Sequence, residues 1–169
     1  MKVRIKKLVP EAVAPHKAFE SDAGFDLVAT SYEFERKTGN FVYGTGLAFE
    51  IPEGYVGLLF PRSSISKGDL ALTNAVGVID SHYRGEVTLK FKSTIRTVSL
   101  WSLIKLALTR KKNINDVSLS IINNGEKFYH IGDRIGQIII LPYPEIEFEE
   151  ADELSRTDRG TGGYGSTGK

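Results

Sequence analysis

Apolar and polar residues alternate with a period of two along most of this chain, the mark of strands with one wet face. Lys2 to Val9 follows the pattern, and so does Phe41 to Ile51, punctuated by Gly44 and Gly46. Asp26 stands at the start of a short strand running through Val28. Tyr55 to Phe60 is more evenly apolar and follows the turn Pro52-Glu53-Gly54. Val76 to Ile79, Thr88 to Arg96, Val117 to Ile122 and Lys127 to Ile131 continue the series, with Asn123-Asn124-Gly125-Glu126 as a hairpin turn. Ile135 to Leu141 is an apolar run interrupted only by Gly136 and Gln137. Short strands separated by Gly/Pro turns predict an all-β fold, a barrel or jelly-roll-like sandwich.

One stretch departs from that period. Leu100, Leu103, Ile104, Ala107 and Leu108 recur at helical spacing, Ser99 can cap their start, and Arg110, Lys111 and Lys112 suit the negative end of a helix dipole. The spacing predicts one short helix near 99–110, inside an insertion at about 94–118. Seven basic residues and no acidic one lie between Val87 and Asn115. The insertion reads as a helix packed outside the β-domain with its basic end in water, or as a docking segment for an unknown partner. Beyond Pro142 and Pro144 the chain turns acidic, with seven acidic residues from Glu145 to Asp158 against the single basic Arg156. Glycines then dominate to the end. The expected organisation is a β-domain over 1–142, an acidic linker over 143–158 and a flexible Gly-rich arm over 159–169.

Composition narrows the chemistry. The 169 residues suit one domain, and a net charge of +1 argues against a general polyanion-binding surface, so no direct nucleic-acid contact is expected. With no cysteine, thiol nucleophiles and Cys-based metal sites are excluded. His16, His82 and His130 match no zinc spacing. No segment is apolar enough for a membrane span and none resembles a signal peptide, so a cytoplasmic location is expected.

Five short segments carry candidate chemistry. Ala23-Gly24-Phe25-Asp26-Leu27 places a carboxylate beside a pair of small residues, and Asp22 with Asp26 is a weak candidate for holding hydrated Mg²⁺. Pro61-Arg62-Ser63-Ser64 offers a guanidinium fork and two hydroxyls at a strand end; this suits a polyphosphate, and equally a salt bridge with serines capping a turn. Gly77 to Val87, GVIDSHYRGEV, reads as a hairpin whose polar turn holds Asp80 next to Tyr83. Asp80 is either a turn initiator or a group that positions water for attack. Asn74, just upstream, can give donor and acceptor together to a nucleobase edge. Gln137 requires partners in its apolar strand, whether backbone or ligand. Arg159 to Lys169 can wrap an anion through backbone N–H groups, but matches no Walker pattern.

In order and spacing these segments, AGFDL, PRSS, GVIDSHYRGEV, GDRIGQ and RGTGGYGSTG, resemble the five motifs of the trimeric deoxyuridine triphosphatases. The resemblance covers the chain outside the insertion. It implies a β-clip, jelly-roll-like fold, a homotrimer with active sites between subunits, and Mg²⁺-dependent hydrolysis of dUTP to dUMP and pyrophosphate. Such a reaction limits uracil incorporation into DNA and supplies dUMP for thymidylate synthesis. By position, Asp80 would activate the water that attacks the α-phosphorus, and Gln137 would support both. Tyr83 would pack under the deoxyribose, and Asn74 with the backbone of Gly77 and Ile79 would read uracil. Asp26 would hold Mg²⁺ through water. Arg62, Ser63 and Ser64 would meet the phosphates, while Arg159, Tyr164, Gly165, Ser166 and Thr167 would close over the nucleotide. Tyr164 and His82 depart from the usual Phe and acidic residue. The related dCTP deaminases share the RSS segment and a similar fold, but a glutamate follows their Thr-Leu where Lys90 stands here, and they lack the Gly-rich tail. A nucleotide-regulated protein that binds a partner through the basic insertion is the non-enzymatic alternative.

Overall fold

The computed structural model describes residues 1–67, 70–94 and 129–163. Those residues form ten strands and one turn of 3₁₀ helix, with no α-helix among them. The fold is all-β, as the alternating pattern requires. The helix near 99–110, the strand over 117–122 and the hairpin turn at 123–126 lie outside the described residues, as do Tyr164, Gly165, Ser166 and Thr167.

Two four-stranded antiparallel sheets make the body. The first is ordered β2 (Phe25–Val28), β10 (Arg134–Pro142), β6 (Tyr55–Pro61) and β8 (Gly77–Ile79). The second is ordered β3 (Ser31–Glu35), β4 (Asn40–Gly44), β9 (Thr88–Ser93) and β7 (Leu70–Leu72). A separate ribbon pairs β1 (Arg4–Lys7) with β5 (Leu47–Glu50). Buried side chains from both four-stranded sheets, including Leu27, Tyr43, Leu89, Phe91, Ile135 and Ile138, join in one core. The Tyr43 ring meets Phe91 edge-on at 5.9 Å and Tyr129 edge-on at 5.8 Å. Such pairs contribute ~0.5–1.5 kcal/mol each beyond the area they bury.

Two expectations need correction. Gly77 to Leu89 is not a hairpin: β8 pairs with β6 in the first sheet, whereas β9 pairs with β4 and β7 in the second. The segment between them changes sheets because Val87 is captured by the corner that joins β4 to β5. Its carbonyl accepts the Thr45 hydroxyl at 2.7 Å, and its N–H donates to Leu47 O at 2.8 Å. β3 was not anticipated. Its sequence, SYEFE, exposes most positions and carries two glutamates, so neither propensity nor a clean alternation announced it.

Candidate functional site

The crossing segment builds the first half of the site. β8 ends at Ile79, and Asp80 follows with its side chain in solvent and its carbonyl accepting the Tyr83 N–H at 3.0 Å. Tyr83 then folds back over Gly85, where a Cβ would strike the phenol, and donates its hydroxyl to Glu86 O at 2.9 Å. Only a glycine permits that approach. The Glu86 carboxylate accepts the Gly46 N–H at 2.8 Å, which ties the segment to the β4–β5 corner. Between these groups lies a cavity of about 180 Å³ lined by Asn74, Gly77, Ile79, Asp80 and Tyr83 among others. All five are residues singled out from the sequence. Glu86, inside the GVIDSHYRGEV segment, and Thr88, just beyond it, also line the cavity and carried no further signal. Ala75, at φ 58°, holds a left-handed conformation beside Asn74, with Val76 N–H bonded back to Asn74 O. Backbone of that kind is stored where surrounding structure enforces it.

Strand pairing builds the second half. Gln137 on β10 stands opposite Asp26 on β2 and Phe60 on β6. Its amide lies over Gly24, so a Cβ there would land on the amide oxygen. Arg62, just past the end of β6, donates Nε–H to Asp26 Oδ1 at 3.1 Å, and Arg134 donates Nη1–H to Asp26 Oδ2 at 2.9 Å. The salt-bridge reading of the PRSS segment is realised in this chain: Arg62 is paired with Asp26, and Ser63–Lys67 is a 3₁₀ turn with Ser66 Oγ donating to Ser63 O. Arg62, Ser64, Lys67 and Arg134 line a cavity of about 420 Å³. Burial pushes the Tyr129 hydroxyl up, opposed by a hydrogen bond with Ser64 and by the Arg62 charge. Tyr129 thus stays a neutral wall of a cationic cavity. Arg134 and Lys67 were not singled out from the sequence, although Arg134 lies inside the GDRIGQ segment.

A divalent ion has limited room in this arrangement. Asp26 is bonded through both carboxylate oxygens to guanidinium groups, and no three His, Cys, Asp or Glu side chains gather into a metal-binding group among the described residues. The donor set suits an ion that arrives hydrated on phosphate oxygens, and not one caged by protein ligands.

The two halves do not meet within one chain. Ile79 faces Gly57 near the start of β6, and Asp80 lies one residue beyond; Arg62 follows the far end of the same strand. At the rise of an extended strand, Asp80 and Arg62 are separated by on the order of 20 Å. Arg159, in the tail, is exposed and turned on itself, Nε–H donating to Gly162 O at 2.9 Å.

Comparison with known proteins gives a consistent result. The dUTPase family pattern matches residues 10–107 and 97–168. A deoxyuridine 5'-triphosphate nucleotidohydrolase from Nautilia profundicola is 35% identical over 100% of this chain and 100% of its own length. The enzyme of that name from Rhodococcus erythropolis is 34% identical over 99% of this chain and 87% of its own. The solved dUTPase of Staphylococcus bacteriophage 80alpha with dUPNHPP superposes with a TM-score of 0.70 at 26% identity, covering 99% of both chains.

Proposed function

The chain belongs to the dUTPase family and hydrolyses dUTP as a dUTP diphosphatase; from that premise we propose how its residues do so. Uracil enters the cavity beside Asn74, where an amide and the backbone of Gly77 and Ile79 offer donors and acceptors to its edge. The Tyr83 ring, held against Gly85, packs against the deoxyribose and leaves no space for a 2′-hydroxyl. Asp80, exposed at the cavity wall on a fixed backbone, accepts a proton from water as its oxygen bonds to the α-phosphorus. The bond from the α-phosphorus to the bridging oxygen breaks, and pyrophosphate leaves. Phosphoryl chemistry of this kind demands positioning and charge neutralisation more than covalent participation.

Arg62, Ser63 and Ser64 supply donors for the phosphates, and Gln137 supports the α-phosphate and the water. Arg159 and the residues after it close over the β- and γ-phosphates. Asp26 would hold Mg²⁺ through water, and the ion would supply neutralisation of the phosphate charge.

The observation that carries this reading is the separation of Asp80 from Arg62. Both are needed at the α-phosphate, yet one chain holds them at opposite ends of β6. The reading is therefore of sites completed between copies, in a homotrimer. Pyrophosphate release measured with dUTP, dTTP, dCTP and UTP, with ammonia release from dCTP as a parallel assay, tests it. Turnover confined to dUTP is expected; ammonia from dCTP, or no discrimination among the four, would overturn it.

A further inference from the structure

The β2–β10 ladder slips by one residue between Arg134 and Gly136. Gln137 faces Asp26 and Gly136 faces Leu27, so an unbroken register would put Arg134 opposite Ala29, on the other face of the sheet from Asp26. Instead Arg134 faces Val28. Val28 shares a face with Asp26, because residues two apart on a strand point the same way. The bulge thus re-aims one guanidinium onto the carboxylate, a use to which bulges are put beside functional sites.

The consequence lies in how Asp26 is divided. Its side chain is only 12% exposed, and one oxygen goes to Arg134 while the other goes to Nε of Arg62. A carboxylate facing one arginine alone would take it bidentate through a terminal nitrogen and Nε, the favoured fork geometry. With Arg134 occupying Oδ2, Arg62 is held by Nε, and its terminal nitrogens donate no hydrogen bond to the described residues. Those are the donors suited to two phosphate oxygens at once. Arg134 also leaves the trio with a net positive charge, where Asp26 and Arg62 alone would cancel.

We infer that Arg134 is a positioning residue of the phosphate subsite: it fixes Asp26 so that Arg62 is presented to the anion by its free edge. This rests on the proposal that Arg62 meets the phosphates. Arg134 lines the same cavity as Arg62, and on this inference its effect on the anion passes through Asp26.

A double-mutant cycle tests this by calorimetry, with dUPNHPP titrated into the assembled protein in the presence of a chelator, so that neither turnover nor metal enters the readout. Arg134→Met is expected to weaken binding about tenfold, roughly 1.4 kcal/mol. Arg134→Lys, which can still occupy one carboxylate oxygen, should recover most of the loss. Asp26→Asn should also weaken binding, and Arg134→Met added to it should cost little more, because residues acting through one another are non-additive. Unchanged binding by Arg134→Met would overturn the inference. So would an undiminished loss on the Asp26→Asn background, which would place Arg134 on the anion directly. Should Arg134→Met fail to fold, Arg134→Gln is scored by the same criteria. If the unmodified protein binds inorganic tripolyphosphate but not dUPNHPP, the nucleotide reading fails, and the same cycle run with tripolyphosphate still decides the role of Arg134.

Discussion

The Tyr83 hydroxyl donates to the carbonyl of Glu86, three residues on, at 2.9 Å. That bond closes a small ring over Gly85 and fixes the phenol at the cavity wall. Loss of the hydroxyl alone removes one hydrogen bond, a net ~0.5–1.5 kcal/mol. Tyr83→Phe should therefore raise KM for dUTP by roughly two- to tenfold while preserving the preference for dUTP over UTP, because the ring remains. Tyr83→Ala removes the ring and should narrow that preference by about tenfold or more. Comparing kcat/KM for the two nucleotides in each variant measures both effects.

Asp80 accepts nothing from the described residues through its side chain that would explain its position, whereas its backbone is fixed by the Tyr83 N–H. Asp80→Asn keeps the shape and removes the proton acceptor. Turnover should fall by ~10²–10⁴, the usual contribution of a positioned general base, while dUPNHPP binding stays within a few-fold of the unmodified protein. Retention of turnover, followed by pyrophosphate release, would remove Asp80 from the chemistry.

Gly24 is the floor on which the Gln137 amide rests. A methyl group at that point forces the amide aside or the strands apart. Gly24→Ala should lower kcat more than it raises KM and cost about 1–3 kcal/mol of stability, as overpacking generally does. Steady-state kinetics together with thermal unfolding separates the two effects.

Burial pushes the hydroxyls of Tyr43 and Tyr129 above the ordinary tyrosine value. In the unfolded chain these phenols ionise near pH ~10, earlier than in the folded protein. The folded state then binds more protons than the unfolded one, so stability present below that pH is lost as pH rises through and beyond it. Denaturant midpoints measured from pH 8 upward, with phenolate absorbance as a second probe, should show a decline beginning near pH 10 and none attributable to these residues below it.

The period-two pattern was enough to identify the strands that bury one face fully, because Phe41, Tyr43, Leu47 and Phe49 must all point inward. It was not enough to show which strands pair. Val78 and Thr88 flank a short polar turn that reads as a hairpin, and the hydrogen bonds that Val87 makes with Thr45 and Leu47 send the second half into the other sheet. The members of the nucleotide cavity were legible because they lie within about ten residues of one another. Arg134 was not, since its role depends on a one-residue slip in a ladder with a strand more than a hundred residues earlier. A local motif can name such a residue but cannot say where it points.

The division of the site between copies is tested most directly by mixing two inactive variants before assembly. Asp80→Asn chains carry a sound Arg62, and Arg62→Gln chains carry a sound Asp80. If each site draws these residues from different subunits, random co-assembly at equal amounts restores both to about a quarter of the sites, given a closed symmetric oligomer. Pyrophosphate release from dUTP should then recover to about a quarter of the unmodified rate. Activity no greater than the mean of the two parent variants, from mixed oligomers shown to have formed, would contradict the account.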